Sequence, residues 1–224
     1  MLRDPTMDLP ADGRSRADHV YTELLKQIRS GTLKSGMRMR EEDIARALDV
    51  SRTPAREGLA RLQARGLIEL SNGRLTVTTL DRQQVLELYA LRGLLEGAAA
   101  RFAAQHANPS EVTLLQRLCD RFEQETRPAR MAAINREFHD RINEASHNRY
   151  LQRSLYELHD TIALLPHTTF QIGGRPSTAA AEHRAIVAAI AAHDPDLAET
   201  EGRKHIEKAL EARLELSVAS ATES

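Results

Sequence analysis

The sequence predicts a mainly α protein: an N-terminal winged helix-turn-helix followed by an all-α bundle of about six helices. Three observations predict it. Three helical segments precede residue 66. A short stretch of strand-like residues surrounds Asn72-Gly73. Beyond Asp81 the chain is rich in alanine, helical in its apolar spacing and free of alternation.

Residues 1–16 are polar, carry Pro5, Pro10 and Gly13, and are expected to form a flexible lead. Val20, Leu24, Leu25 and Ile28 then recur at helical spacing up to Ser30-Gly31. A short second helix is expected from Glu41 to Leu48, with Ile44, Ala45 and Leu48 on one face. Asp49-Val50-Ser51 makes a tight connection to a third helix running from Arg52 to about Arg65. Pro54 is tolerated there because the first turn has no intrahelical use for its missing N–H. Ala55, Leu59 and Leu62 form its buried stripe. Leu67–Leu70 and Arg74–Thr78 flank an Asn-Gly turn and read as a hairpin, the wing. Further helices are expected near 81–106, 109–126, 129–146, 148–165, 178–192 and 195–217. Breaks fall at Asn108-Pro109, Arg127-Pro128, Ser146-His147-Asn148 and the loop from Pro166 to Ser177. The implied division is a lead over 1–16, a winged helix-turn-helix over 17–80, a helical domain over 81–218 and a tail over 219–224.

Composition excludes several classes. The chain has 224 residues, 41% of them apolar and 28% charged, the balance of a soluble globular protein. No apolar run is long enough to span a membrane. The first thirty residues are charged throughout, so no secretory signal is expected. Cys119 is the only cysteine, which excludes an internal disulfide and points to a reducing, cytoplasmic setting. Net charge is −1, but it is unevenly spread. Residues 1–80 hold 14 Lys/Arg against 11 Asp/Glu; residues 81–224 hold 17 against 21. Residues 26–65 hold ten basic side chains against five acidic, the footprint of a small nucleic-acid-binding module.

The third helix opens Ser51-Arg52-Thr53-Pro54-Ala55-Arg56. In a helix-turn-helix this end enters the major groove. Arg52 and Arg56 are one turn apart and offset from the buried stripe, so both can point outward. A guanidinium fork suits guanine O6 and N7. Ser51 and Thr53 can cap the helix or bond phosphate. Gly73 and Arg74, at the wing tip, can follow the backbone or enter the minor groove.

Nine histidines are present. Asn135 and His139 are i, i+4 on one helix and can face one point. His183 and His205 lie eleven residues either side of Asp194, in the turn between the last two helices. Equal distance from the turn of an antiparallel helix hairpin means equal height, so these two can meet. Three imidazoles and one oxygen suit a divalent transition metal, although lone helix histidines are commonly just partly buried polar residues. Arg92 and Glu96, also i, i+4, read either as a surface ion pair or with Arg92 on the face toward the metal, where its guanidinium can clamp a carboxylate.

Met39–Ala45, Val50–Glu57 and Leu59-x-x-Leu62-x-x-x-Gly66-Leu67-Ile68 resemble the DNA-binding domain of GntR-family bacterial regulators. The helical remainder, opening Leu88-Tyr89-x-Leu91-Arg92-x-x-Leu95-Glu96, looks like the FCD effector domain of the FadR subfamily. The resemblance spans roughly 17–217. Glu41, Glu42 and Asp43 stand where some members carry a basic DNA-contacting residue. Ala55 and Gly58 replace the larger or more helix-favouring residues usual there.

The resemblance implies a homodimer on double-stranded operator DNA, and a repressor released by a small organic acid, with activation an alternative. Many FCD domains have Asp or Asn, then Phe-His, then two later histidines, matching Asn135, Phe138-His139, His183 and His205. A bound divalent metal is implied, zinc first, with nickel or another transition metal also fitting. Asn135 replaces the commoner Asp, which implies either a lower affinity or a coordination position taken by water. Arg92 is placed to clamp the effector's carboxylate. Leu86, Leu88, Leu91 and Leu94 are candidates for the dimer contact. Two rival readings are a metal-dependent enzyme acting on a small carboxylate, and a metal-stabilised DNA-binding protein with no effector. Against the enzyme, no nucleophile–base pair accompanies the histidines.

Overall fold

The computed structural model describes residues 15–222. The expected lead lies outside them up to residue 14, whereas Ser15 and Arg16 already belong to the first helix. The described residues divide into two compact units: residues 15–81 with 159–166, and 82–158 with 167–222.

The first unit opens with helix α1 (Arg16–Arg29). Ser15 caps it: its hydroxyl accepts from the Asp18 N–H, and the Asp18 carboxylate accepts from the Ser15 N–H, a capping box. Helix α2 (Glu41–Ala47) and helix α3 (Arg52–Ala64) follow, joined through Asp49 in a left-handed conformation. The apolar stripes meet in one core of Val20, Leu24, Leu25, Ile28, Ile44, Ala55, Leu59 and Leu62. Gly58, unusual at its position, has a physical reason here. A Cβ there would stand 2.5 Å from Val20 Cγ1 and 3.2 Å from the Tyr21 backbone nitrogen. The missing side chain is what lets α3 sit against α1.

Strands β1 (Ile68–Ser71) and β2 (Arg74–Val77) pair antiparallel from Ile68↔Val77 to Ser71↔Arg74. Asn72 and Gly73 both take positive φ, as a two-residue hairpin turn requires. Residues 159–166 complete this unit: Leu164 joins its core, and the buried Asp160 carboxylate accepts from Arg29 Nε at 2.5 Å and pairs with Arg65 Nη1 at 2.9 Å.

The second unit comprises helices α4 (Arg82–His106), α5 (Pro109–Gln124), α6 (Pro128–Ala145), most of α7 (Arg149–Ile162), α8 (Arg175–Ala191) and α9 (Pro195–Thr222). Asn108 caps α5, and Asn148 accepts from the N–H groups of Tyr150 and Leu151 at the start of α7. Two boundaries differ from expectation. Helix α8 begins at Arg175, inside the expected loop, because Gly174 supplies a left-handed entry and Pro176 suits a first turn. Helix α9 continues to Thr222, since nothing after residue 217 breaks it.

Helix α9 packs along α4, and glycine sets how closely. A Cβ at Gly97 would meet Arg203 Cγ at 2.7 Å and the Glu199 carbonyl oxygen at 3.3 Å. One at Gly202 would lie 3.4 Å from Gly97 Cα. This contact brings Glu96 and His205, each beside a glycine or one turn from it, into the same interior layer.

Candidate functional site

In the first unit, Arg52, Thr53 and the wing-tip residues Gly73 and Arg74 are exposed, as is Ser51. Arg56 is exposed too, and it lies one turn on from Arg52 at the end of α3 that a major groove would receive. Ser51 occupies the N-cap position, but its hydroxyl makes no capping bond, so of the two roles open to it capping is not the one formed. Arg52 Nη2 donates to Glu42 Oε1 at 2.8 Å, so the acidic start of α2 reaches the first arginine of α3.

In the second unit, His139 of α6, His183 of α8 and His205 of α9 converge, all buried, with ligating nitrogens within 4.8 Å of one another. The ring centroids of His139 and His205 are 5.1 Å apart, and those of His183 and His205 are 4.9 Å apart. The Nε2 atoms of His139 and His205 are separated by 3.2 Å. Two nitrogens held tetrahedrally at zinc–nitrogen distances of about 2.0–2.1 Å stand about 3.3 Å apart. Phe138 and Phe122 flank His183 and dry the site.

The remaining polar atoms fit a cation as well. His183 Nε2 is buried without a hydrogen-bond partner, and so is Asn135 Oδ1, one turn before His139. An orphaned buried acceptor costs about 1–3 kcal/mol, so each needs a donor or a metal. Burial, together with the neighbouring histidines, pushes the His183 pKa well below its usual value. Burial likewise lowers His205 to about 4, against the opposing hydrogen bond to Glu182. Neutral imidazole is the ligating form. His159 and His167 take no part in the cluster.

Arg92 and Glu96 are buried, contrary to the surface-pair reading. Arg92 Nε donates to Glu96 Oε1 at 3.3 Å, and its guanidinium lies 5.6 Å from the Tyr89 ring centre. The other carboxylate oxygen, Oε2, accepts from His139 Nδ1 at 2.9 Å. A second acid, Glu182, accepts from His205 Nδ1 at 2.7 Å and from Arg175 Nη1 at 2.8 Å. Its own burial would raise the Glu182 pKa, but the His205 and Arg175 hydrogen bonds and charges outweigh that and lower it. Sequence reasoning missed Glu182 and Arg175. The one local signal was an acid directly before His183.

Residues 16–77 match the family model for bacterial regulatory proteins of the gntR family, and residues 87–208 match the FCD domain. The chain belongs to the GntR family, with an FCD domain.

Two curated relatives agree with this GntR regulator along most of its length. It is 31% identical over 172 residues to the uncharacterized HTH-type transcriptional regulator YdhC of Bacillus subtilis, covering 74% of this chain and 76% of that one. It is 33% identical over 198 residues to the probable D-xylose utilization operon transcriptional repressor of Paenarthrobacter nicotinovorans, covering 85% of each. The solved structure of E. coli McbR/YncC shares the fold, with a TM-score of 0.79 and 21% identity over 91% of this chain and 99% of that one. The family and these relatives are transcriptional regulators, not enzymes, so the metal-dependent enzyme reading falls. GntR regulators bind operator DNA, and FCD domains bind small-molecule effectors. No helix among the described residues is long and apolar enough to cross a membrane.

Proposed function

We propose that this GntR regulator is a repressor whose FCD domain holds a divalent transition metal and a small organic acid. The observation that carries the proposal is the buried convergence of His139, His183 and His205, with an orphaned Asn135 oxygen one turn from His139. Zinc suits three imidazoles and an oxygen, with nickel or another transition metal as the alternative. When bound, the metal supplies a Lewis-acidic point of attachment for a carboxylate oxygen.

Arg92 is the residue proposed to orient that acid. Only its Nε is engaged by Glu96, which leaves the terminal nitrogens for a second carboxylate. On the DNA side, Ser51, Arg52, Thr53 and Arg56 read the major groove, while Gly73 and Arg74 follow the backbone or minor groove. A homodimer presents two such helices to a near-palindromic operator. The exposed Leu91 and Leu94 on α4 support a dimer contact there. An acid weakens operator binding only by favouring the dimer arrangement that holds DNA less well. The Paenarthrobacter repressor supports this sign of regulation.

Calorimetric titration of the zinc-loaded chain with a panel of small mono- and dicarboxylates tests the proposal. One acid is expected to bind stoichiometrically without being consumed, and Arg92→Ala is expected to abolish that binding. A zinc-loaded chain that binds none of them supports instead a metal-stabilised regulator without an effector.

A further inference from the structure

The site holds two parallel chains of the same composition. In one, Arg92 and Glu96 of α4 lead to His139 of α6; in the other, Arg175 and Glu182 of α8 lead to His205 of α9. Every member is buried. Glu96 gives one oxygen to a guanidinium and the other to an imidazole Nδ1, whereas Glu182 accepts from His205 Nδ1 and Arg175 Nη1 on Oε2 and from Arg175 Nη1 again on Oε1. Each imidazole turns its Nε2 toward the other, 3.2 Å away.

We infer that Glu96 and Glu182 are the positioning residues of this centre. By accepting from Nδ1, each fixes its histidine as the tautomer whose Nε2 lone pair faces the cation. The inference rests on the metal reading above.

An ionised carboxylate can only accept, so the Nδ1 facing it must carry the proton. In neutral imidazole the remaining nitrogen is then the ligand, and the carboxylate raises its basicity. The two arginines cancel the two carboxylates, while Lys208 approaches Glu182 from a half-exposed position at 3.6 Å. The four candidate ligands, Asn135 and three neutral imidazoles, carry no charge. A divalent cation there keeps its full charge for an incoming anion, which suits a carboxylate ligand. A purely structural role for the acids, tying α4 to α6 and α8 to α9, would instead alter stability and leave metal affinity alone.

The test is zinc affinity by competition with a chromophoric chelator, on the full chain. Glu182→Gln and Glu96→Gln are each expected to weaken zinc binding about 10- to 100-fold. Glu137→Gln, at an exposed acid paired with Arg121, is the control and is expected to bind like wild type. Removing one member of a buried ion pair strands the other and can unfold the chain. The double variant Arg175→Met with Glu182→Gln strands no buried charge, Lys208 being half-exposed, and it is expected to fold and still lose zinc affinity. Long-range 1H–15N spectra of the zinc-loaded wild type should show His139 and His205 protonated at Nδ1. Folded variants with wild-type zinc affinity, or Nδ1-coordinated histidines, would overturn the inference while leaving the metal centre standing. A wild-type chain that takes up no zinc or other transition metal would overturn the metal centre itself, and the inference with it.

Discussion

His139 and His205 point their Nε2 atoms at one another across 3.2 Å, while the Nδ1 of each faces a buried carboxylate. With Nδ1 protonated on both rings the two Nε2 lone pairs repel, and a cation bound between them would turn that repulsion into two bonds. The first prediction is therefore that the purified chain carries about one transition-metal ion per protomer, as the three-histidine site requires. Stripping it with a chelator should lower the thermal midpoint. Restoring metal at about a thousandfold over its Kd should return about 4 kcal/mol. His205→Ala should abolish both effects. Asn135→Asp should tighten binding, because a carboxylate adds charge to the ligand set that an amide lacks.

The second prediction concerns pH. Burial depresses His183 and His205, the latter to about 4, whereas both titrate near 6.5 when unfolded. Between pH 6.5 and about 4 the unfolded chain thus binds more protons than the folded chain. Stability of the metal-free protein should fall as pH drops through that window, by on the order of 3 kcal/mol for His205 alone. Glu182, held low by His205 and Arg175, loses its own contribution further down, below 4.5. Urea unfolding of chelator-treated protein at pH 7, 6 and 5 reads the slope. A flat profile contradicts the buried, neutral imidazoles.

Much of this is legible in the sequence, and the exceptions have a common cause. Helical period and the Pro, Gly and Asn breaks place the elements, because those signals are local. His183 and His205 are paired by their equal distance from Asp194, which needs only hairpin geometry. Glu182 and Arg175 are not legible that way. They are two turns apart on α8, and Glu182 meets a histidine 23 residues on, so no period announces them. Glu96 is visible only as the i+4 neighbour of Arg92, since its second partner, His139, lies on another helix. Asp160 hides for the same reason, its two arginines being on α1 and just past α3.

Gly58→Ala should destabilise the DNA-binding unit. Intrinsic helix propensity favours alanine by about 1 kcal/mol. The new Cβ, however, would stand 2.5 Å from Val20 Cγ1, on a stiff β-branched side chain, with backbone close behind. Overpacking of this kind costs about 1–3 kcal/mol, so the two terms oppose and the clash should win. Denaturant unfolding followed by circular dichroism measures it, and a gain in stability would mean that the α1–α3 approach is looser than described.

Arg52 and Arg56 should carry sequence preference, and Arg74 should not. Alanine at either helix position should weaken operator binding by about 1–3 kcal/mol and relax the preference for guanine at one base pair. Alanine at Arg74 should weaken binding to all sequences alike if it meets phosphate, with a shallower salt dependence. Binding isotherms against single-base operator variants at several salt concentrations separate the two behaviours.

The central claim is that one chain couples a metal-held acid to operator affinity. Fluorescence polarisation on DNA from the chain's own upstream region, at fixed salt, tests it most directly. Metal-loaded protein is mixed with each member of a panel of small organic acids, and the series is repeated after chelation and with Arg92→Ala. The account predicts tight, sequence-selective binding that one acid weakens, with that response lost on chelation and in the variant. Selective binding that no acid changes, metal-loaded or not, would contradict it.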